Sequence, residues 1–253
     1  MIDCHCHLEQ KDYNEDRDEV IEKCRKQLRA LVTSCVHPND MKLTLDIAKK
    51  HNGFVFCTIG IHPEYIKEIS EKEIDKAIEE IKKNKENIVA IGETGLDYFW
   101  IKEAKLREKQ KALFRKLIKV AKELNMPMVI HNRDASEDTI KILEEEGMKG
   151  KKVLMHMFND RKFLNKIIEN GWFISIGPGI KKSKDIGKIA RDMPLNKIML
   201  ETDSPWFGNG ERGTPLNVRV AAEKIAEIKK IPLEEVERQT DLNAINFFGL
   251  RFF

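Results

Sequence analysis

The sequence lacks any apolar run of the roughly 20 residues that a membrane-spanning helix requires. Its first residues also lack the apolar core of a signal peptide, because Asp3 and His5 interrupt them at once. These absences argue against membrane proteins and exported proteins. We therefore expect a protein of the cytoplasm with no membrane partner.

Cysteines are few, and their spacing shows no disulfide framework. The chain has 5 cysteines, an odd number, and four of them lie in apolar runs typical of strands: Cys4, Cys6, Cys35 and Cys57. Buried, reduced thiols are the expected state of such residues in a reducing compartment. The pattern argues against a small secreted domain held together by disulfides.

A strong excess of one charge is also missing. Charged residues make up 34% of the chain, yet 45 Lys and Arg oppose 42 Asp and Glu, for a net charge of +3. This balance alone predicts neither a nucleic-acid nor a membrane partner. The length of 253 residues is enough for a substantial core and is usual for one α/β barrel.

Short apolar runs alternate with amphipathic segments along the whole chain. The strand-like runs are 2–6, 30–36, 54–59, 88–92, 128–131, 152–156, 172–176 and 197–201. The helical patterns are 15–28, 40–51, 71–83, 106–124, 137–146, 160–169, 184–192, 216–229 and 233–247. This alternation predicts parallel βαβ units, in either a doubly wound sheet or a closed barrel.

The positions of the polar residues favour the barrel. Side chains that bind metals stand at or just after the ends of the first, fourth, fifth, sixth and eighth strand-like runs: His5, His7, Glu93, His131, His156 and Asp203. An open sheet would spread these strand ends along an edge, whereas a barrel gathers them at one mouth. We therefore predict an α/β fold, a single (β/α)8 TIM barrel over residues 1–253.

His5 and His7 are the clearest sign of metal chemistry. Side chains two apart on a strand point to the same face, so both imidazoles can reach one ion. The alternatives are a pair of buried, satisfied histidines, or a structural zinc site that includes Cys4 and Cys6. The zinc site is disfavoured because no second cysteine pair completes it and because both cysteines are expected to face the helix layer.

Four histidines and two acids exceed the ligand needs of one ion, so a binuclear site fits better. Two nearby dications repel each other unless an anion lies between them, which gives a carboxylate a bridging role. We predict that one ion is bound by His5, His7 and Asp203, the second by His131 and His156, and that Glu93 bridges the two. Each residue also has an ordinary alternative: a helix cap for Asp203, a cap or ion pair for Glu93, and core packing for the histidines.

Six motifs carry a family resemblance. They are Asp-Cys-His-Cys-His-Leu at 3–8, Gly-Ile-His-Pro at 60–63, Gly-Glu-Thr-Gly-Leu-Asp-Tyr at 92–98, Ile-His-Asn-Arg-Asp-Ala at 130–135, His-Met-Phe at 156–158 and Glu-Thr-Asp-Ser-Pro-Trp at 201–206. Their order and spacing resemble the TatD family, metal-dependent deoxyribonucleases of the amidohydrolase-like barrel superfamily. The resemblance covers the whole chain.

The resemblance implies a barrel of the metal-dependent hydrolase type that cleaves DNA phosphodiesters with a metal-activated water. It implies the same six ligands, with Asp203 and Glu93 also serving catalysis and Asp203 orienting or deprotonating the attacking water. His62 and Arg133 would face the substrate phosphate, for which the planar guanidinium is suited. Alternatively, His62 is a turn residue before Pro63, and Arg133 pairs with Asp134.

The expected cofactors are two divalent cations per chain, with Mg, Mn, Zn and Ni as candidates. The expected partner is DNA, as substrate, and we infer no obligatory protein partner. One alternative is an amidohydrolase or phosphotriesterase-like enzyme acting on a small molecule. That branch typically bridges its metals with a carboxylated lysine on the fourth strand, where this chain has Glu93. The other alternative is a barrel that binds nucleic acid or a protein without turnover.

Three further residues are expected near the site. Asp97 and Glu201 are candidates to orient the histidine ligands, or to form ion pairs. Trp206 directly follows the motif around Asp203 and is a candidate contact for a base or sugar.

Overall fold

Eight parallel strands alternate with helices in the computed structural model, which describes residues 1–208 and 210–252. The strands are β1 Ile2–Cys6, β2 Ala30–Cys35, β3 Val55–Ile59, β4 Ala90–Asp97, β5 Met128–Arg133, β6 Val153–Met155, β7 Phe173–Ile176 and β8 Ile198–Leu200. They lie side by side in the order of the sequence. The predicted (β/α)8 barrel is confirmed.

The helices form the outer layer and agree with the predicted segments to within a few residues. They are α1 Arg17–Arg25, α2 Met41–Lys50, α3 Glu71–Lys83, α4 Ala104–Leu124, α5 Ser136–Glu145, α6 Leu164–Glu169, α7 Lys184–Asp192, α8 Val218–Lys229 and α9 Leu233–Phe248. The longest, α4, buries a stripe that includes Leu113, Phe114 and Leu117. Within the described part of the chain, we find no helix with the length and apolar character that crossing a bilayer demands.

The two outermost strands of the sheet, β1 and β8, meet where their carboxyl ends lead into the site. The backbone N–H of Asp203 donates to the carbonyl of His5 at 2.9 Å, and the N–H of His7 donates to the carbonyl of Ser204 at 2.8 Å. These two bonds bring the first and last strands together around the mouth. The barrel is thereby nearly closed at the end where parallel strands present their carboxyl ends.

A register shift in β1 changes the direction of one cysteine. The pairing of β1 with β2 is irregular between Asp3 and Cys6. Cys4 belongs to a small cluster with strand residues Val129, Leu154 and Met199, whereas Cys6 belongs to the larger cluster that includes the apolar faces of the helices. The expectation that both cysteines face the helix layer is therefore wrong for Cys4. A bulge inserts a residue into the ladder and breaks the strict alternation on which that expectation rested.

The five cysteines are nevertheless free and buried, as predicted. None of them pairs with another, and burial raises the pKa of the thiols at Cys24 and Cys57 to about 12. The thiols therefore stay protonated at neutral pH and act as small apolar side chains.

A second irregularity lies in β4, which is longer than the predicted segment 88–92. The strand continues to Asp97, and its pairing with β5 shifts between Ile91 and Thr94. Glu93 thus lies inside the strand, at the irregularity, rather than after the strand end. Bulges re-aim side chains in this way beside active sites.

Gly95 allows β4 and β5 to approach closely next to the site. It has φ +147°, and a Cβ on it would lie 2.0 Å from the carbonyl oxygen of His131. A side chain at position 95 therefore requires β5 to move away. His131, whose side chain points into the mouth, would move with it.

We predict that Gly95→Ala lowers the free energy of unfolding by roughly 3 kcal/mol or more, at the upper end of single-substitution effects. Gly150→Ala is the control, because Gly150 has φ +71° but open space around its Cβ position. It incurs only the left-handed backbone cost of about 1–2 kcal/mol. Urea denaturation followed by circular dichroism measures both, and equal losses would contradict the steric argument.

Candidate metal centre

The carboxylate of Glu93 lies at the centre of the mouth, between histidines from four strands or strand ends. Its Oε2 is 3.2 Å from Nε2 of His5 and 3.7 Å from Nε2 of His7. Its Oε1 is 2.9 Å from Nδ1 of His131 and 3.3 Å from Nε2 of His156. The two oxygens of one carboxylate thus face two different groups of imidazoles.

The group on the Oε2 side is completed by Asp203. The Nε2 atoms of His5 and His7 are 3.1 Å apart, and Oδ1 of Asp203 lies 3.6 Å and 3.1 Å from them. Asp203 adopts a left-handed backbone conformation, with φ 57°. This places its side chain over the end of β1, with 13% of it exposed. The three predicted residues therefore form one cluster of possible ligands.

On the Oε1 side, the structure adds His62 to the predicted pair. Nε2 of His62 is 3.5 Å from Oε1 of Glu93, and its ring lies 4.1 Å from the ring of His131. Glu93, His131 and His62 form one cluster of possible ligands, and His156 clusters instead with Glu93 and His5. The six predicted ligands are thus brought together. His156, whose ring stacks on His5 at 3.9 Å, lies between the two groups.

The opposite edge of the His62 ring decides which nitrogen carries its proton. His62 precedes a short helical turn, and its Nδ1 accepts a hydrogen bond from the backbone N–H of Glu64 at 3.2 Å. In a neutral imidazole the other nitrogen then carries the hydrogen. Nε2 of His62 therefore points a donor into the mouth, which suits a substrate oxygen better than a cation.

Two buried acids orient histidines of the cluster, as the sequence indicated. Oδ2 of Asp97 lies 2.9 Å from Nε2 of His131, and Oε2 of Glu201 lies 2.9 Å from Nδ1 of His156. Glu201 also accepts from the hydroxyl of Ser175 at 2.8 Å. Such contacts fix the ring orientation and leave the other nitrogen directed at the centre.

The corresponding partners of the first two histidines were missed. The hydroxyl of Ser34 lies 3.1 Å from Nδ1 of His5, and the carbonyl of Ser34 lies 2.8 Å from Nδ1 of His7. Glu9, only 3% exposed, approaches Nδ1 of His7 at 3.3 Å. The available signal was a serine inside the apolar run of β2 and an acid two residues after His7.

Burial opposes every charge in this cluster, yet the acids outweigh burial at several histidines. Burial lowers the pKa of His62 to about 3, with the neighbouring His131 acting in the same direction. At His156, burial also opposes protonation, but Glu201 and Glu93 outweigh it and raise the pKa to about 9. The histidines around Glu93 in turn outweigh its burial and hold its pKa well below the usual range.

This donor set fits divalent cations. Imidazole and carboxylate groups converge in a nearly water-free mouth, and His5 and His7 turn their Nε2 atoms toward one another at 3.1 Å. Two imidazole nitrogens at that distance are stabilised by a shared proton or by a cation. Ligation requires the neutral imidazole, so His156 must release its proton when a cation binds.

The other residues predicted to face the substrate lie at the rim. Arg133 is exposed, and its Cζ lies 3.9 Å above the ring of Phe99. It forms no ion pair with any residue of the described chain, so the alternative of a pair with Asp134 is wrong. Trp206, 46% exposed, has its ring 4.8 Å from that of His7.

A family profile described as TatD related DNase matches residues 2–249. The chain belongs to the TatD family. It is 36% identical to the human deoxyribonuclease TATDN3, over 98% of this chain and 94% of that protein. It is also 34% identical to YabD of Bacillus subtilis (strain 168), an uncharacterized metal-dependent hydrolase, over 99% of both chains.

A solved TatD family structure has the same fold. The crystal structure of a TatD family hydrolase from Entamoeba histolytica superposes with a TM-score of 0.91, covers 99% of this chain and 98% of its own, and is 24% identical. At this identity the likeness shows the barrel and not the details of the site. The resemblance seen in the sequence motifs is thus confirmed over the whole length of the chain.

We predict that Glu201→Gln weakens binding of divalent cations about 10–100-fold, because the amide no longer fixes His156 as a carboxylate does. Competition with a chromophoric chelator measures the affinity. The control is Glu137→Gln, an exposed acid on α5 for which the structure shows no side-chain contact. An affinity equal to that of the control would contradict an orienting role for Glu201.

Proposed function

We propose that this protein is a metal-dependent deoxyribonuclease that hydrolyses DNA phosphodiesters at a binuclear centre. The proposed ligands are His5, His7 and Asp203 on one side, His131 and His156 on the other, and Glu93 between them. The observation that carries the proposal is the division of Glu93, whose two oxygens face separate groups of imidazoles. Family membership supplies the reaction class.

Two bound cations would polarise the phosphodiester and make water nucleophilic near neutral pH. Asp203 is placed to orient that water, since its carboxylate borders the His5 and His7 group and remains partly exposed. Burial raises its pKa, but His7 and its neighbours outweigh burial and lower it. A carboxylate with a lowered pKa is a weak base, so Asp203 orients the attacking water more than it stores the proton.

His62 and Arg133 are proposed to hold the substrate phosphate. The neutral ring of His62 directs its Nε2–H into the mouth beside Glu93. Arg133 keeps its donors free, because its guanidinium lies on an aromatic ring and not on an acid. A planar guanidinium can bind two phosphate oxygens at once.

We further propose a single domain that works in the cytoplasm without an obligatory protein partner. The five buried free thiols support a reducing compartment. The identity of the cations is open among Mg, Mn, Zn and Ni, because a mixture of imidazole and carboxylate suits several of them. A panel of metals is therefore part of the test.

We predict that the metal-loaded protein cleaves labelled DNA, and that His5→Ala or Glu93→Ala reduces the rate by roughly 10³-fold or more by removing ligands. Gel assays with each cation, and with a chelator, measure this. His51→Gln is the matched histidine control, since His51 pairs with Asp18 at the end of α2, away from the mouth.

Two results would contradict the proposal. Undiminished DNA cleavage in excess chelator, or in both ligand variants, would exclude the binuclear mechanism. Cleavage of small amides or lactones without any cleavage of DNA would favour the amidohydrolase alternative.

A further inference from the structure

Two large aromatic side chains are exposed together at the rim of the mouth. Phe99 is 39% exposed and Trp100 is 53% exposed, and both follow directly after β4. Their rings contact edge to face, with centroids 4.8 Å apart and planes at 86°. Adjacent exposed aromatics of this size point to a binding surface more than to packing.

The Arg133 guanidinium completes this surface. Its Cζ lies 3.9 Å above the Phe99 ring and 5.6 Å from the Trp100 ring. Stacking on an aromatic face holds the guanidinium flat while leaving its N–H groups free. Phe99 therefore positions Arg133, and the larger exposed area of Trp100 remains available to a ligand.

The surface is fixed to the candidate metal centre through one acid. Oδ1 of Asp97 accepts from the backbone N–H of Trp100 at 2.7 Å, while its Oδ2 lies 2.9 Å from Nε2 of His131. Nδ1 of His131 in turn lies 2.9 Å from Glu93. The position of Trp100 relative to the reacting phosphate is thus set by two consecutive short contacts.

We propose that Trp100, Phe99 and Arg133 form a nucleotide subsite beside the cleaved bond. Trp100 stacks on the base of an unpaired nucleotide, and Arg133, held by Phe99, binds the adjoining phosphate. A guanidinium next to an exposed indole matches the alternation of charge and flat apolar base in a single strand. Inside a duplex both faces of a base are already covered, so the subsite selects unpaired or terminal nucleotides. The inference rests on the proposed nuclease function.

The test combines a change in the protein with a change in the substrate. Single-stranded oligonucleotides carry either a normal or an abasic residue at each position flanking the cleaved bond. With the wild-type protein, the abasic residue at one of these positions is expected to raise KM about tenfold, with kcat nearly unchanged, since a stacked base contributes to binding. In Trp100→Ala the KM is already raised by this factor, and the abasic residue has no further effect. Trp100→Phe restores most of the loss.

The matched control is Phe252→Ala. Phe252 is 37% exposed and also carries an arginine, with Cζ of Arg29 4.8 Å above its ring. Arg29 directly precedes β2, so this pair lies at the opposite end of the barrel. The variant is expected to keep the wild-type KM and the full abasic effect.

The outcomes separate this inference from the proposed function. DNA cleavage with the same abasic effect in wild type and Trp100→Ala, or with no abasic effect in wild type, overturns the subsite and leaves the nuclease standing. Absence of DNA cleavage by the wild-type protein with every cation overturns both.

Discussion

The carboxylate of Glu93 is the constraint on which the rest of the mouth depends. It is 2% exposed, and histidines on both sides hold it in the charged form despite burial. A buried carboxylate is stable only when cations or donors surround it. The ends of β1, β5 and β6 supply those groups, so the eight strands must meet closely for Glu93 to be tolerated at all.

Irregular strands make this convergence possible. The register shifts in β1 and β4 occur beside His5 and Glu93, the two residues nearest the centre. Gly95 then lets the backbone of β4 approach His131 more closely than any side chain would allow. The barrel thus departs from ideal strands at the positions where its proposed chemistry is concentrated, in keeping with a scaffold that gives up local regularity for function.

Much of this arrangement follows from the sequence. Parallel strands end at one face, so the histidines and acids after the apolar runs had to share the mouth, and they do. The extension of β4 beyond Gly92 and the inward direction of Cys4 could not be derived, because a bulge depends on the pairing of neighbouring strands. The orienting role of Ser34 was equally hidden, since a serine in an apolar run has many explanations. The exposed pair Phe99 and Trp100 acquired meaning only when the structure placed Arg133 over it.

The central claim is that one carboxylate bridges two cations. Anomalous diffraction from crystals grown with Mn²⁺ or Zn²⁺ tests it most directly, with data collected on both sides of the absorption edge. The account predicts two separate peaks per chain, one between Oε2 of Glu93 and the His5, His7 and Asp203 group, and one beside Oε1 and His131. A single peak, or two peaks of which neither contacts Glu93, would contradict it.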